Sequence, residues 1–267
     1  MAENSGISWT THTANLWFGC TKVHAGCDNC YAEKQSKRFG DDLWGNDKPR
    51  RAIKSFFNDL ARFQRLAKEA GEIHKVFVGS MMDIFEKPMP LIDSKGIEIK
   101  DMTTDDLRKK FFMSISMGEY PNLMFLLLTK RPSNINKYIP ESWKTNPPAN
   151  VMFGTSPVNQ QTADKLIPQL KEVNGNLFLS IEPQLDRISL YPHLIMSKII
   201  WVINGGESGH GRRPFNLSWA RQLKTDCQRH GVAFFFKQID KVIEKESGIP
   251  IELQVQDFPN FAIQPTA

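Results

Sequence analysis

Six short apolar runs, rich in β-branched and aromatic residues, recur along the chain, and each ends in a small, polar or charged cluster. They are Val76-Phe-Val-Gly-Ser80, Met124-Phe-Leu-Leu-Leu-Thr-Lys130, Val151-Met-Phe-Gly-Thr-Ser156, Leu177-Phe-Leu-Ser-Ile-Glu-Pro183, Ile199-Ile-Trp-Val-Ile-Asn-Gly-Gly206 and Val232-Ala-Phe-Phe-Phe-Lys237. Hydrophobicity within them is nearly continuous rather than alternating, the pattern of a parallel strand covered on both faces. Leu16-Trp-Phe-Gly19 predicts a first strand that leads straight into Cys20.

The intervening segments carry helical spacing. Ile53 to Ala70 places Phe56, Leu60, Phe63 and Ala67 on one face, with Gly71 as the stop. Thr162 to Val173 and Ser218 to His230 read as further helices, the second ended by Gly231. Strands alternating with helices predict an α/β fold, a parallel (βα) sheet curved into a partial or complete TIM-like barrel. Residues 88–120, with Pro88, Pro90 and the charged stretch from Lys95 to Lys110, read as an insertion or lid, and Pro140 to Pro148 as an irregular loop. No linker and no solenoid-sized repeat divides the chain, so a single domain is expected over residues 1–267.

A chain of 267 residues that is 40% hydrophobic is large enough to bury a substantial core. No run reaches the roughly 18 apolar residues of a membrane span, and MAENSGISWTTH has neither the basic start nor the apolar stretch of a signal peptide. The expectation is a cytoplasmic protein with no membrane partner. With 34 Lys and Arg against 29 Asp and Glu, the formal charge of +5 is compatible with an anionic partner without identifying one.

Three of the four cysteines, Cys20, Cys27 and Cys30, fall on one loop at intervals of six and two residues. In a reducing compartment they suit metal or thiol chemistry better than a disulfide framework. Cys27-Asp-Asn-Cys30 is a compact metal-binding spacing, and Gly26 permits a tight turn before it. Zinc with His24 as fourth ligand is one reading, although no second CxxC or HxxxH pair accompanies it. Three thiolates on a cubane iron–sulfur cluster leave one iron open to a substrate or cofactor, whereas a plain electron carrier uses four. Cysteines that merely pack are a third reading, at odds with clustering on a polar, Gly-containing loop. Cys227, on a predicted helix, reads as a packing residue.

A three-cysteine loop directly after the first strand of a βα barrel resembles the radical S-adenosylmethionine (SAM) superfamily. More closely, the combination of Gly19-Cys20-Thr-Lys-Val, Gly26-Cys27-Asp-Asn-Cys30-Tyr-Ala-Glu33, Val76-Phe-Val-Gly-Ser80, Leu128-Thr-Lys-Arg-Pro132, Gly154-Thr-Ser156, Ser180-Ile-Glu-Pro183, Gly205-Gly-Glu-Ser-Gly209 and Phe234-Phe-Phe-Lys-Gln238 is similar to a phage-associated, radical-SAM-like family of uncharacterised proteins. The first cysteine interval is six rather than the superfamily's usual three, and Asn29 stands where an aromatic residue is usual. The resemblance implies a barrel of radical SAM type with a [4Fe-4S] cluster on Cys20, Cys27 and Cys30. Such a cluster, once reduced, passes an electron to bound SAM, giving methionine and a 5′-deoxyadenosyl radical that abstracts hydrogen from the substrate. An electron donor such as a flavodoxin or ferredoxin is implied, in the host cytoplasm if the chain is phage-encoded.

In a βα barrel, functional groups gather at the C-terminal ends of the strands. For SAM at the open iron, Ser80 and Asp83 suit the methionine amino group, and Ser156 and Glu182 suit ribose hydroxyls or that amino group. Lys130 or Arg131 suits the carboxylate, and Gly205 with Gly206 lets backbone approach the cofactor. Bland alternatives are a strand-end role for Glu182 and a simple tight turn at Gly205-Gly206. The glycine-rich run 205–211 is neither a P-loop nor a dinucleotide fingerprint. His210, Arg212, Arg213 and Lys237, with Arg131, are expected to bind substrate as a basic rim, with Tyr31, Trp17 and Phe85 as stacking surfaces. A solvated rim over core aromatics is the alternative.

The leading expectation is a radical SAM enzyme acting on nucleic acid or a nucleotide, as in phage DNA base modification. A distant resemblance to the radical SAM lyase that repairs thymine photoproducts points the same way. A peptide or small-metabolite substrate is the alternative within that class. A noncatalytic zinc-stabilised nucleic-acid-binding module, or a barrel that serves as a protein-interaction scaffold, is the alternative outside it.

Overall fold

The computed structural model describes residues 3–208, 211–240, 244, 247–261 and 263–266. In chain order the elements begin β1 (His12–Ala14), β2 (Trp17–Phe18), α1 (Tyr31–Arg38), β3 (Arg50–Ala52), α2 (Phe56–Ala70), β4 (His74–Val78), β5 (Pro90–Ile92), β6 (Glu98–Thr103) and α3 (Thr104–Ser116). They continue β7 (Leu123–Thr129), α4 (Ile135–Tyr138), α5 (Glu141–Thr145), β8 (Val151–Thr155), α6 (Gln160–Lys171), β9 (Asn176–Ile181), α7 (Tyr191–Leu194), β10 (Ile199–Gly205), α8 (Leu217–Arg229) and β11 (Ala233–Gln238). Seven strands form an all-parallel sheet in the order β1-β4-β7-β8-β9-β10-β11, curled into a TIM-like half-barrel.

Both faces of this sheet are covered, which is why its strands read as unbroken apolar runs. Leu123, Phe125 and Leu127 of β7 point to the helix side, where they join Phe56, Leu60 and Phe63 of α2 and Phe111 and Phe112 of α3. Met124 and Leu126 point to the concave side and pack with Phe77, Phe178, Trp201 and Phe235 under Trp9. Period two within each strand thus sorts residues between two apolar compartments rather than between core and solvent. The helix boundaries follow local chemistry. Gly71 ends α2 at φ 64°, Thr103 and Asp106 close a capping box on α3, and the Asn159 side chain accepts from Thr162 N to begin α6. Cys227 is buried in α8, as expected of a packing residue.

Two expectations need correction and a third is narrowed. The first strand of the half-barrel is His12–Ala14, registered against Val76–Val78, whereas Trp17–Phe18 pairs antiparallel with β3 in a separate four-stranded sheet, β2-β3-β5-β6. Asn15 separates the two: its side-chain amide donates to Ser80 Oγ at 2.9 Å and accepts from Met81 N at 2.8 Å, drawing the chain out of the sheet. Of the two readings of residues 88–120, insertion or lid, the placement is that of an insertion between β4 and β7, and none of these residues lines the cavity at the strand ends. They supply β5 and β6 to the small sheet and then α3, whose Phe111, Phe112 and Ile115 are core residues. Residues 140–148 include the short helix α5, pinned by buried Trp143, whose Nε1 donates to Ser116 Oγ at 2.9 Å. No helix among the described residues is long and apolar enough to cross a membrane.

The concave core is fitted around one glycine. A Cβ on Gly154 would lie 2.5 Å from the Phe178 ring, so Gly154→Ala is expected to destabilise the fold by about 1–3 kcal/mol through overpacking. Adding Phe178→Leu should recover part of that loss in denaturant unfolding. An unchanged unfolding midpoint for Gly154→Ala would contradict this packing.

Candidate functional site

The inward-facing positions of the sheet change character toward the C-terminal strand ends. Along β8 they run Met152, Gly154, Ser156; along β9 Phe178, Ser180, Glu182; and along β11 Phe235, Lys237. An apolar floor therefore carries a polar layer, and above it opens a cavity of about 1170 Å³, mouth included. Cys20, Cys27 and Cys30 all line it, together with Ser80, Asp83, Lys130 and Arg131 from the loops after β4 and β7.

The loop bearing the cysteines is held from two sides. Gly19, at φ 114°, lets the chain pass where a Cβ would lie 2.5 Å from Leu43 O and 2.8 Å from Arg50 Cδ. Cys20 O then accepts from Gly45 N at 3.1 Å. Fully buried Arg50 makes a bidentate pair with Glu86, at 2.9 and 2.6 Å, and reaches Thr21 Oγ1 at 2.9 Å as well as the carbonyls of Leu43, Gly45 and Lys48. On the other side Arg131 donates to Thr21 O at 2.6 Å and to Asp83 Oδ2 at 2.7 Å. Arg108 of α3 supports the loop after β4, which carries Asp83 and Glu86, by donating to Ile84 O and Glu86 O.

A second latch closes on the Cys27–Cys30 turn. Asn29 Nδ2 donates to Glu207 Oε2 at 3.0 Å, and Arg213 holds the same carboxylate through its backbone N–H and its guanidinium while donating to Ala25 O at 3.1 Å. Burial alone would push the Glu207 carboxyl up, but the hydrogen bonds from Arg213 and Asn29 outweigh it and hold the group below its ordinary pKa. Those bonds correspondingly raise Arg213.

The three thiols are free of disulfides. Burial, reinforced by the nearby Asp83 and Glu86 carboxylates, pushes the Cys20 pKa up to about 12, so a metal binding there displaces a proton. Among the described residues, no three His, Cys, Asp or Glu side chains converge to hold one metal ion. His24, the expected fourth zinc ligand, accepts from Gly26 N through Nδ1 at 3.1 Å and does not line the cavity. Burial, with Lys130 and Arg131 nearby, lowers its pKa to about 4 and keeps it neutral. Three soft donors around one cavity suit a multinuclear iron–sulfur cluster, whose irons are spread over a wider span than a single ion.

Several assigned side chains are already occupied. Asp83 accepts from Thr129 Oγ1, Lys130 N and Phe85 N besides Arg131, so it organises the loop rather than waiting for an amino group. Ser80 Oγ accepts from Asn15 and its carbonyl from the Tyr31 hydroxyl. Gly206 lines the cavity and Gly205 does not, and both pack closely on the end of β11: a Cβ on Gly206 would lie 2.0 Å from Ile239 O, and one on Gly205 3.3 Å from Gln238 O. The expected basic rim is internally neutralised, with Arg131 on Asp83, Arg213 on Glu207, Arg212 on Asp240 and Lys237 on Glu182. Arg212 and Arg213 do not line the cavity, and His210 lies outside the described residues. Trp17 and Phe85 are core residues, leaving Tyr31 of the three expected stacking surfaces at the mouth.

Other assigned groups remain available. Ser156 Oγ and Glu182 Oε1 are buried without a hydrogen-bond partner. Among the described residues, Lys130 lines the cavity without an acidic partner. Sequence reasoning missed Arg50, Glu86, Thr21, Asn15 and the role of Glu207. The acidic pair Asp83 and Glu86 directly after an apolar run was the available signal for part of this network.

Removing one partner of a buried ion pair strands the other. Glu86→Ala is therefore expected to cost about 3–5 kcal/mol in denaturant unfolding, and replacing Arg50 and Glu86 together by Met and Leu should cost less. Equal losses would contradict the pairing. Because the Glu207 pKa is depressed, its latch contributes fully above the ordinary carboxylate value and fades as pH falls through the lowered one. Glu207→Gln should thus be less stable than wild type at neutral pH, with the difference shrinking below about pH 4. A pH-independent difference would contradict the assignment.

None of the curated proteins and none of the solved structures matches the chain. A family model described as protein of unknown function (DUF5131) matches residues 4–249. The match covers most of the sequence, and the chain belongs to that family.

Proposed function

We propose that the cavity is the active site of a radical SAM enzyme, with Cys20, Cys27 and Cys30 holding a cubane iron–sulfur cluster and SAM filling the polar layer beside it. The observation that carries this reading is that three thiols, none in a disulfide, line one cavity at the polar mouth of a half-barrel. When bound, the cluster supplies an electron that cleaves SAM into methionine and a 5′-deoxyadenosyl radical. A flavodoxin- or ferredoxin-like protein is the proposed electron source, and the cytoplasm the proposed location.

The chain's own residues have distinct tasks in this account. Lys130, rather than Arg131, meets the methionine carboxylate, because Arg131 already joins Asp83 to Thr21 O. Ser156 Oγ and Glu182 Oε1 gain the partners they lack, at the ribose hydroxyls or the amino group. Lys237, which donates to Glu182 Oε2 at 3.0 Å, keeps that carboxylate oriented. Trp9, Phe77 and Leu128 close the floor against water. The proposed substrate class is nucleic acid or a nucleotide. Since the basic rim is paired, its support comes from Tyr31 at the mouth rather than from open charge.

Anaerobic iron–sulfur reconstitution, followed by electron paramagnetic resonance with and without SAM and an assay for 5′-deoxyadenosine, tests the reading. A cluster signal that shifts with SAM, is lost in each of Cys20→Ala, Cys27→Ala and Cys30→Ala, and accompanies deoxyadenosine formation is expected. Stoichiometric zinc with no cluster and no response to SAM would overturn it.

A further inference from the structure

A second cavity, of about 1000 Å³ of open space, adjoins the first. Ile7, Tyr31, Ser80 and Met81 line both, so Tyr31, whose hydroxyl donates to Ser80 O at 2.6 Å, borders the two spaces. Successive turns of α1 supply its wall: Tyr31 and Gln35, then Phe39 just past the helix end, at the four-residue spacing that keeps side chains on one face. Beside them Ser36, only 5% exposed, holds a buried hydroxyl with no hydrogen-bond partner.

The chemistry of this lining is narrow. Phe18, Tyr31 and Phe39 offer aromatic surface, and Phe39 is 76% exposed, an aromatic face that a stacked ring would cover. Among the polar groups, the Asn15 amide is committed to Ser80 and Met81, Ser5 Oγ to Ile7 N and the Tyr31 hydroxyl to Ser80 O, and the Gln35 amide and Ser36 hydroxyl are the groups offered to donor and acceptor edges. Asp41 is the one charged side chain among the described lining residues, and Arg51 already neutralises it with bonds of 2.5 and 2.6 Å. A flat, uncharged, hydrogen-bonding heterocycle fits this surface, whereas a phosphate or carboxylate finds no counter-charge in it. Lys34, Lys37 and Arg38 fall at three- and four-residue spacing on the adjoining flank of α1, where Lys37 already pairs with Glu33 at 2.7 Å.

We infer that the second cavity is a nucleobase subsite, which receives the base of a nucleotide or of a single-stranded nucleic acid and presents it to the thiol-lined cavity. What happens to the base there rests on the radical SAM reading. Its binding does not. An unstacked base gains stacking on aromatic faces together with hydrogen bonds along its edge, and both elements are present in this one wall.

The test uses the purified full chain without cluster or SAM. Its probes are the four deoxynucleoside 5′-monophosphates, a mixed-sequence single-stranded DNA octamer and the corresponding duplex, followed by calorimetry and saturation-transfer difference NMR. Saturation of base protons is expected, with binding about tenfold weaker in Phe39→Ala, a surface truncation. Ser36→Ala should also weaken binding without lowering the melting temperature, since the hydroxyl it removes has no partner in the free protein. Met113→Ala, an exposed change on α3, should bind as wild type does. Octamer binding tighter than any mononucleotide identifies a strand as the source, and equal binding identifies a free nucleotide. No binding by any probe, duplex binding tighter than single-strand binding, or wild-type affinity in both Phe39→Ala and Ser36→Ala would overturn the inference. Because cluster and SAM are absent, failure here is distinguishable from failure of iron–sulfur reconstitution.

Discussion

The cysteine loop has little regular structure of its own beyond one 3-10 turn from Ala25 to Cys27, so its position depends on charges buried around it. Arg50 on Glu86 and Arg131 on Asp83 converge on Thr21, one gripping its hydroxyl and the other its carbonyl. A buried ion pair adds little net stability over a well-packed apolar pair but is costly to break. Its contribution here is therefore placement: the residue after Cys20 cannot drift without stranding a guanidinium. The Glu207–Arg213 pair performs the same task at Asn29, beside Cys30, but nearer to solvent.

This arrangement explains why the cavity is both polar and built on a dry base. The concave floor from Phe77 to Phe235 excludes water, while Ser156, Ser180, Glu182 and Lys237 continue the same inward-facing positions upward as polar groups. A polar atom left unpartnered in such surroundings carries a desolvation penalty unless a ligand satisfies it. Ser156 Oγ and Glu182 Oε1 are in that condition within the thiol-lined cavity, and Ser36 Oγ in the adjoining one. Tyr31 and Ser80 border both spaces, so a group held in one lies against the other.

Much of the fold was legible because covered parallel strands announce themselves as apolar runs: the runs containing Phe125, Phe153 and Phe235 became β7, β8 and β11. His12–Ala14 was not, since it is an edge strand three residues long with two polar members. Nor was the helical role of residues 104–116, because the charged face of α3 masked the spacing of Phe111, Phe112 and Ile115. At the site, spacing alone singled out the cysteines, and their shared cavity follows from topology. Which polar residue takes which role was not readable. Arg131 and Arg213 are chemically as suited to a ligand as to a carboxylate of the chain, and partners 48 and 6 residues away decide the matter.

The central claim is that these three thiols hold a cluster with one iron left for a cofactor. Mössbauer spectroscopy of the iron-57-reconstituted protein, with and without SAM, tests it most directly. The account predicts a single iron whose signal shifts on adding SAM while the others stay unchanged. A spectrum in which SAM alters no iron, or a protein that takes up no iron, would contradict it.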